Sequence, residues 1–261
     1  MALYPNQFNP LAPNDLVRIG SAMDGGYVIP ERILSSSMAL LSFGLSDEWE
    51  FEEQFFSHTN KPVACFDHTV NGAFWVRKIV ANLVKGILQL SLNRLRRSVR
   101  FFSYRQFFDG RKRKHIKRPI GYSSIGGLSL MEAARLANFH NDIFLKMDIE
   151  GWEYRVLDEL IENRSSFTGF AIEFHDVDIH SQRICEFIEE INDSFVLVHF
   201  HPNTHTQIGH DGFALVVEMT FMNRNLLHKD ETLMHKDLPL PDLDAPNLPG
   251  NIHKPINFAS T

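Results

Sequence analysis

Two acidic strand ends carry the richest chemistry in this sequence. In IFLKMDIEGWE, Ile143 to Glu153, an apolar run stops on Asp148, and Glu150 and Gly151 follow. In GFAIEF and the residues after it, a second apolar run closes on Glu173, His175, Asp176 and Asp178. Carboxylates beside an imidazole can accept a proton as a general base. They can also hold a divalent ion, or simply satisfy one another as a structural cluster. The first two roles require the ends to be neighbours, which consecutive parallel strands would provide. In open α/β sheets, ligands sit beyond the carboxyl ends of the strands. Asp148, Glu150, Glu173 and His175 are therefore the candidate catalytic residues.

Earlier turns could complete the pocket. Met38 to Phe43 reads as an apolar strand broken by Gly44, and Ser46 or Asp47 can cap the helix that follows. The turn lacks GxGxxG, which disfavours a pyrophosphate. The acidic run Asp47, Glu48, Glu50, Glu52 and Glu53 suits a ligand with a cationic or neutral head; alternatively, it complements the helix dipole. Pro62 to Val70 is a second strand carrying Asp67, whose two oxygens match a ribose diol. A turn cap is the other reading of Asp67. Asp24-Gly25-Gly26 marks a turn before a short strand, Tyr27 to Ile29, with Asp24 and Tyr27 either at the pocket rim or in a plain hairpin. Ser123 and Ser124 lie in a polar, glycine-rich turn that either lines the pocket or faces solvent.

The elements that must position these groups follow from hydrophobic periodicity. Further strands are expected over Val99–Tyr104, Phe195–Phe200 and Phe213–Met222. The last two are joined by the loop His201 to Gly212, long enough to serve a site, with no helix between them. Glu218 stands in the apolar run FALVVEMTF and needs a partner, which His199 or His201 could supply. The expected fold is α/β: a mostly parallel seven-stranded sheet with an antiparallel last strand, in one domain over 1–261. Residues 1–37 are a lead-in. Residues 238–261, rich in Pro, Asn and Asp, form an irregular tail laid across the surface.

Residues 73–118 stand apart. Val76, Ile79, Val80, Leu83, Val84, Ile87 and Leu88 recur at helical spacing. Gly72 to Arg118 holds fourteen Lys or Arg and one acid, Asp109, with RKRKHIKR (Arg111 to Arg118) the densest patch. A core-packed helix followed by a solvated basic loop is one reading. Contact with an anionic membrane and contact with an anionic acceptor or nucleic acid are the others.

A net charge of −6 argues against nucleic acid as the partner of the whole chain. The 44% hydrophobic content supports a sizeable core, in which most of the 22 Phe are expected. The only cysteines, Cys65 and Cys185, lie in apolar surroundings, which points to a reducing compartment and excludes a zinc ribbon. No signal-peptide pattern and no run of about 18 apolar residues is present, so the expected location is cytoplasmic, with peripheral membrane contact through 73–118 as an option. No motif specifies an oligomeric state.

The stretch SLMEAARLANFHNDIFLKMDIEGWEYRVL resembles the core signature of the FkbM family of S-adenosylmethionine-dependent methyltransferases, in its methyltransferase-like branch. The likeness extends to Asp24-Gly25-Gly26-Tyr27, Phe43-Gly44-Leu45-Ser46-Asp47 with Phe51-Glu52, and Phe66-Asp67-His68-Thr69. It continues through Glu173 and His175, His199, His201 and Asn203, Val217-Glu218 with Thr220, and the tail LPLPDLDAPNLPG. It covers most of 18–258 and is weakest over 73–118. The resemblance implies a Rossmann-like methyltransferase fold with Gly44, Ser46, Asp47, Glu52, Asp67, His68, Ser124 and Asp148 around the cofactor. Gly44 would admit the cofactor closely, Glu52 or Asp47 would meet its amino end, and Asp148 would lie between sulfonium and acceptor. The usual Asp-x-Gly-x-x-x-Gly turn is replaced here. The implied activity is O-methylation of a hydroxyl on a sugar, polysaccharide or small metabolite, with a divalent metal left open. The rivals are an N-methyltransferase on the same fold and an inactive binding module that contacts membrane or nucleic acid through 73–118.

Overall fold

The computed structural model describes residues 3–88, 99–121, 126–229, 231–253 and 255–260. A seven-stranded sheet runs in the order β5-β4-β3-β6-β7-β9-β8. Its strands are β3 (Ala39–Phe43), β4 (Val63–Phe66), β5 (Arg113–Ile116), β6 (Ile143–Met147), β7 (Phe167–Phe174), β8 (Phe195–Pro202) and β9 (Val217–Asn223). Only β9 is antiparallel, inserted between β7 and β8. Both faces are covered. One carries α1 (Glu31–Ser36), α2 (Glu50–Thr59) and the hairpin of β1 (Leu16–Gly20) and β2 (Gly26–Pro30). The other carries helices over Leu130–Ala137, Leu157–Glu162 and Val177–Ile191.

Strand alternation divides the core cleanly. Leu41, Phe43, Leu145, Met147, Phe170 and Ile172 face one layer, while Leu40, Phe144 and Ala171 face the other. Each fully buried aliphatic or Phe contributes about 1.5–3 kcal/mol. The same parity puts Ser42, Lys146, Glu173 and Glu218 on the α2 and hairpin face, at the strand ends. Ser129 starts the helix Leu130–Ala137 with a capping box shared with Glu132, worth about 1 kcal/mol. Glu159 adds a carboxylate over the same helix start through the Leu130 and Met131 amides.

Several expectations are corrected. Val99–Tyr104 is not a strand: Arg100–Phe107 is helix α4, because Phe101 and Tyr104 pack around Trp75 and Phe107 packs against Phe56. The third parallel strand comes from the basic patch itself, β5, paired with β4. As an edge strand it tolerates charge on its open side, and Arg113 lies over the Phe56 and Phe107 rings. The helix over 73–88 exists as α3 (Gly72–Leu88), but its apolar stripe faces outward, not into the core. The last strand begins at Val217, not Phe213. The strand at Tyr27–Ile29 belongs to a hairpin, one of the two expected placements, with β1 as its previously unassigned partner. The tail is irregular as expected, yet it inserts Asp244 and Asn247 into the protein instead of lying across it. No helix among the described residues is long and apolar enough to cross a membrane.

Candidate active site

A cavity of about 820 Å³ opens beyond the carboxyl ends of β3, β4 and β6, within the size range of small-molecule sites. Its walls are the turn Gly44–Glu48, the turn Asp67–Thr69, the segment Asp148–Glu150 with Trp152, and Arg118–Ile120. Of the expected cofactor residues, Gly44, Ser46, Asp47, Glu52, Asp67, His68 and Asp148 all line it. Ser123 and Ser124 lie outside the described residues.

The turn after β3 is held from two sides. Gly44 has φ 83°, and a Cβ there would collide with the Asp148 carbonyl. Its glycine is thus required by the crossing of the β3 and β6 ends, a cause distinct from the cofactor approach that the resemblance implies. Asp67 Oδ2 accepts from the Leu45 and Ser46 amides at 3.0 and 3.1 Å. Asp67 Oδ1 accepts from the Thr69 amide and hydroxyl at 2.7 and 2.6 Å. Burial alone would raise the Asp67 pKa, but these donors outweigh it and hold the carboxyl below its ordinary range. Asp67 therefore clamps two turns, which makes the turn-cap reading concrete and leaves its oxygens already occupied. Further along the acidic run, Asp47 pairs with Lys78 of α3 at 3.0 Å and Glu48 with Arg100 of α4.

Lys146 was not singled out from the sequence. It is 6% exposed at the heart of the site and donates to the Gly44 carbonyl at 3.0 Å. Burial favours its neutral form, yet Glu52, Asp148 and Glu173 keep it protonated beyond the usual lysine range. Glu52, 1% exposed, is fixed by the Ser42 hydroxyl. The only sequence signal was a lysine at the β6 position whose parity matches Asp148.

The two acidic strand ends do meet, since β6 and β7 are parallel neighbours. His175 sits among carboxylates: its Nε2 is 3.5 Å from Glu150, 3.7 Å from Glu173 and 3.9 Å from Asp148. Its Nδ1 is 3.1 Å from Glu153. Burial lowers the His175 pKa, but Glu153 and then Asp148 and Glu150 lift it above the ordinary value. Glu153, fully buried, also accepts from the Ile149 and Gly151 amides. It thereby caps the turn, while the neighbouring Glu150 side chain stays 87% exposed. Gly151 carries φ 91° and Glu150 φ 57°, a strained pair at the site edge. Asp148 is raised in pKa by burial, countered by Lys146 and His175 and reinforced by Glu150 and Glu153.

Glu173 accepts from the Tyr27 hydroxyl at 3.4 Å and pairs across the sheet with Glu218. Burial, then Asp148, Glu218 and Asp24, push its pKa well above the usual carboxyl range. Glu218 finds one of its two expected partners, His201 at 3.5 Å, together with Asn247 at 3.0 Å. His199 pairs instead with Asp244 at 2.9 Å. Among the described residues, two groups have the geometry to hold a metal ion: Asp148, Glu173 and His175, and Asp24, Glu173 and Glu218. The loop His201–Gly212 does not reach the main cavity; with the tail it lines a separate one of about 370 Å³.

No protein-family model matches the chain, and the search of curated proteins gave no match. Among solved structures, it is similar to precorrin-6Y C5,15-methyltransferase from Geobacter metallireducens (11% identity, 73% of this chain and 84% of that one, TM-score 0.36). It is similar to the fibrillarin pre-rRNA processing protein of Methanococcus jannaschii (12%, 73% and 68%, 0.37). A third is M. jannaschii TYW2 in complex with AdoMet (9%, 74% and 73%, 0.36). Likeness at this level carries no argument about function. The strand order does define the architecture: parallel strands in two halves about β3 and β6, closed by an antiparallel β9 between β7 and β8, make a Rossmann-like methyltransferase fold.

Proposed function

We propose that this chain is an S-adenosylmethionine-dependent methyltransferase of the FkbM type, which methylates a hydroxyl on a sugar, polysaccharide or small metabolite. The observation that carries the reading is the cavity at the β3–β6 junction: it is walled by carboxylates and ends at Asp148, against the imidazole that Glu153 orients. Asp47, Glu48, Glu50, Glu52 and Asp148 all reach this cavity, and carboxylates favour a cationic guest. The donor set therefore fits a cofactor that carries an ammonium and a sulfonium.

When bound, S-adenosylmethionine supplies an electrophilic methyl carbon and leaves as a neutral thioether. The protein's part is to position the acceptor and to take its proton. Glu153 holds Nδ1 of His175, which turns Nε2 toward Asp148 and Glu150. His175 Nε2 would take the proton of the acceptor hydroxyl. Its raised pKa places the proton-accepting form on the alkaline side of an ordinary histidine's range. Asp148 and Lys146 fix the charge balance beside the reacting centre.

Calorimetric titration of the full chain with S-adenosylmethionine tests the reading. We expect saturable binding with a dissociation constant between about 1 μM and 1 mM. His175→Gln should keep that affinity but lower the incorporation of labelled methyl into hydroxyl acceptors by roughly 10²–10⁴-fold. Absence of cofactor binding in the unaltered protein would remove the enzyme reading.

A further inference from the structure

Helix α3 is built unlike the other helices of this fold. Along its 17 residues only Trp75 and Gly86 are buried. Val76, Val80, Leu83, Val84 and Ile87 follow one another at i, i+4, i+7, i+8 and i+11 and are between 41% and 66% exposed. That spacing aligns them in one stripe. Scattered surface aliphatics are ordinary, but a continuous stripe marks a contact surface.

Charge indicates what the stripe meets. Gly72 to Arg118 carries fourteen cations and one acid in a chain whose net charge is −6. The single acid, Asp109, is engaged by Arg113. Arg77 is exposed on the helix beside the stripe, next to Val84, while Lys85 is exposed on the far side of the helix. An apolar stripe bordered by a cation, in a segment this basic, is the pattern of a helix lying in the plane of an anionic lipid surface. A second copy docked through the same face would set cations against cations. A nucleic acid would answer the charge but leave the aliphatic stripe in water.

The helix is also anchored for such a load. Lys78 pairs with Asp47 at 3.0 Å, Arg100 lies 4.9 Å over Trp49, and Trp75 packs against Trp49 and Tyr104. These contacts tie its start to the turn that walls the main cavity.

We propose that α3 docks the protein onto an anionic membrane surface, its outward aliphatic stripe entering the headgroup–acyl boundary and its cations meeting lipid headgroups. The inference stands on α3 and the basic segment it opens, and does not depend on the methyltransferase reading.

Co-sedimentation of the full chain with vesicles tests it. Binding is expected to vesicles of equimolar phosphatidylserine and phosphatidylcholine, to weaken with added salt, and to be far lower on phosphatidylcholine alone. The double variant Val80→Glu/Ile87→Glu should lose about tenfold or more in affinity. Arg77→Gln should lose about fivefold. Ile179→Glu, exposed on another helix, should bind as the parent does. Circular dichroism and thermal melts will show that the stripe variants fold, since the replaced side chains are exposed. Equal binding to both vesicle types, or unchanged binding of the double variant, overturns the proposal. So does concentration-dependent self-association that the double variant abolishes in the absence of vesicle binding.

Discussion

At the scale of single residues, the site is a problem of crowded charge. Asp148, Glu173 and His175 converge, as do Asp24, Glu173 and Glu218, and Lys146 is the buried cation between them. Burial and the neighbouring carboxylates push the folded pKa of Glu173 well above the usual carboxyl value. The sign of the linkage follows. Between the ordinary pKa of an unfolded Glu and the raised folded one, the native state binds a proton that the unfolded state does not, so stability falls as pH rises through that window. Glu173→Gln cannot ionise and should escape this decline. Relative to the variant, the parent should lose up to about 1.4 kcal/mol per pH unit across the window. Denaturant melts from pH 5 upward check it, and parallel stability curves for the two proteins would show that Glu173 is not held neutral. The sequence made Asp148, Glu173 and His175 legible as strand-end residues. It could not reveal Glu153 or Lys146, because their roles depend on what faces them from other strands and turns.

At the scale of elements, the decisive contact is the crossing of the β3 and β6 ends. The Phe43 carbonyl accepts from the Asp148 amide at 2.9 Å, and Gly44 passes against the Asp148 carbonyl. An alanine at 44 would bring both a Cβ collision and a positive φ. Gly44→Ala should therefore cost about 3 kcal/mol or more, read as a lowered denaturation midpoint with cofactor binding lost in step. An unperturbed midpoint would mean that the turn has room the crossing does not show. Strand pairing also builds a polar row on one sheet face: Ser42 beside Lys146, then Glu173 opposite Glu218 and Glu218 opposite His201. Period-two alternation made the facing of Lys146 and Glu173 readable within each strand. The bulge between Leu197 and His199, which turns His201 onto that face, was not readable, since nothing in FVLVHFHP interrupts its pattern. The misplaced third strand has a related cause. Aromatic residues serve helices and strands alike, and RKHI looks like solvated loop until β4 offers it a partner.

At the scale of the whole molecule, the irregular tail closes the back of the site. Asn247, 2% exposed, donates to Glu218 at 3.0 Å and to Asp24 at 3.1 Å, and its oxygen accepts from the Thr204 amide at 2.8 Å. One side chain thus links tail, hairpin turn, β9 and the loop after β8. Asn247→Ala would strand several buried polar groups, at a cost of about 2–3 kcal/mol. Limited proteolysis should then cleave the tail first; resistance equal to the parent's would show that the tail is held elsewhere. The sequence by itself determined the alternation of strands and helices, the absence of a helix between β8 and β9, and the acidic ends of β6 and β7, because hydrophobic periodicity and chain order are local properties. Only the tertiary structure decided that Asp67 is spent on clamping turns, that Glu153 and Lys146 govern the charges around Asp148 and His175, and that the stripe of α3 looks outward. Each of those outcomes depends on which distant group fills the space beside a side chain, and that is settled when the layers pack.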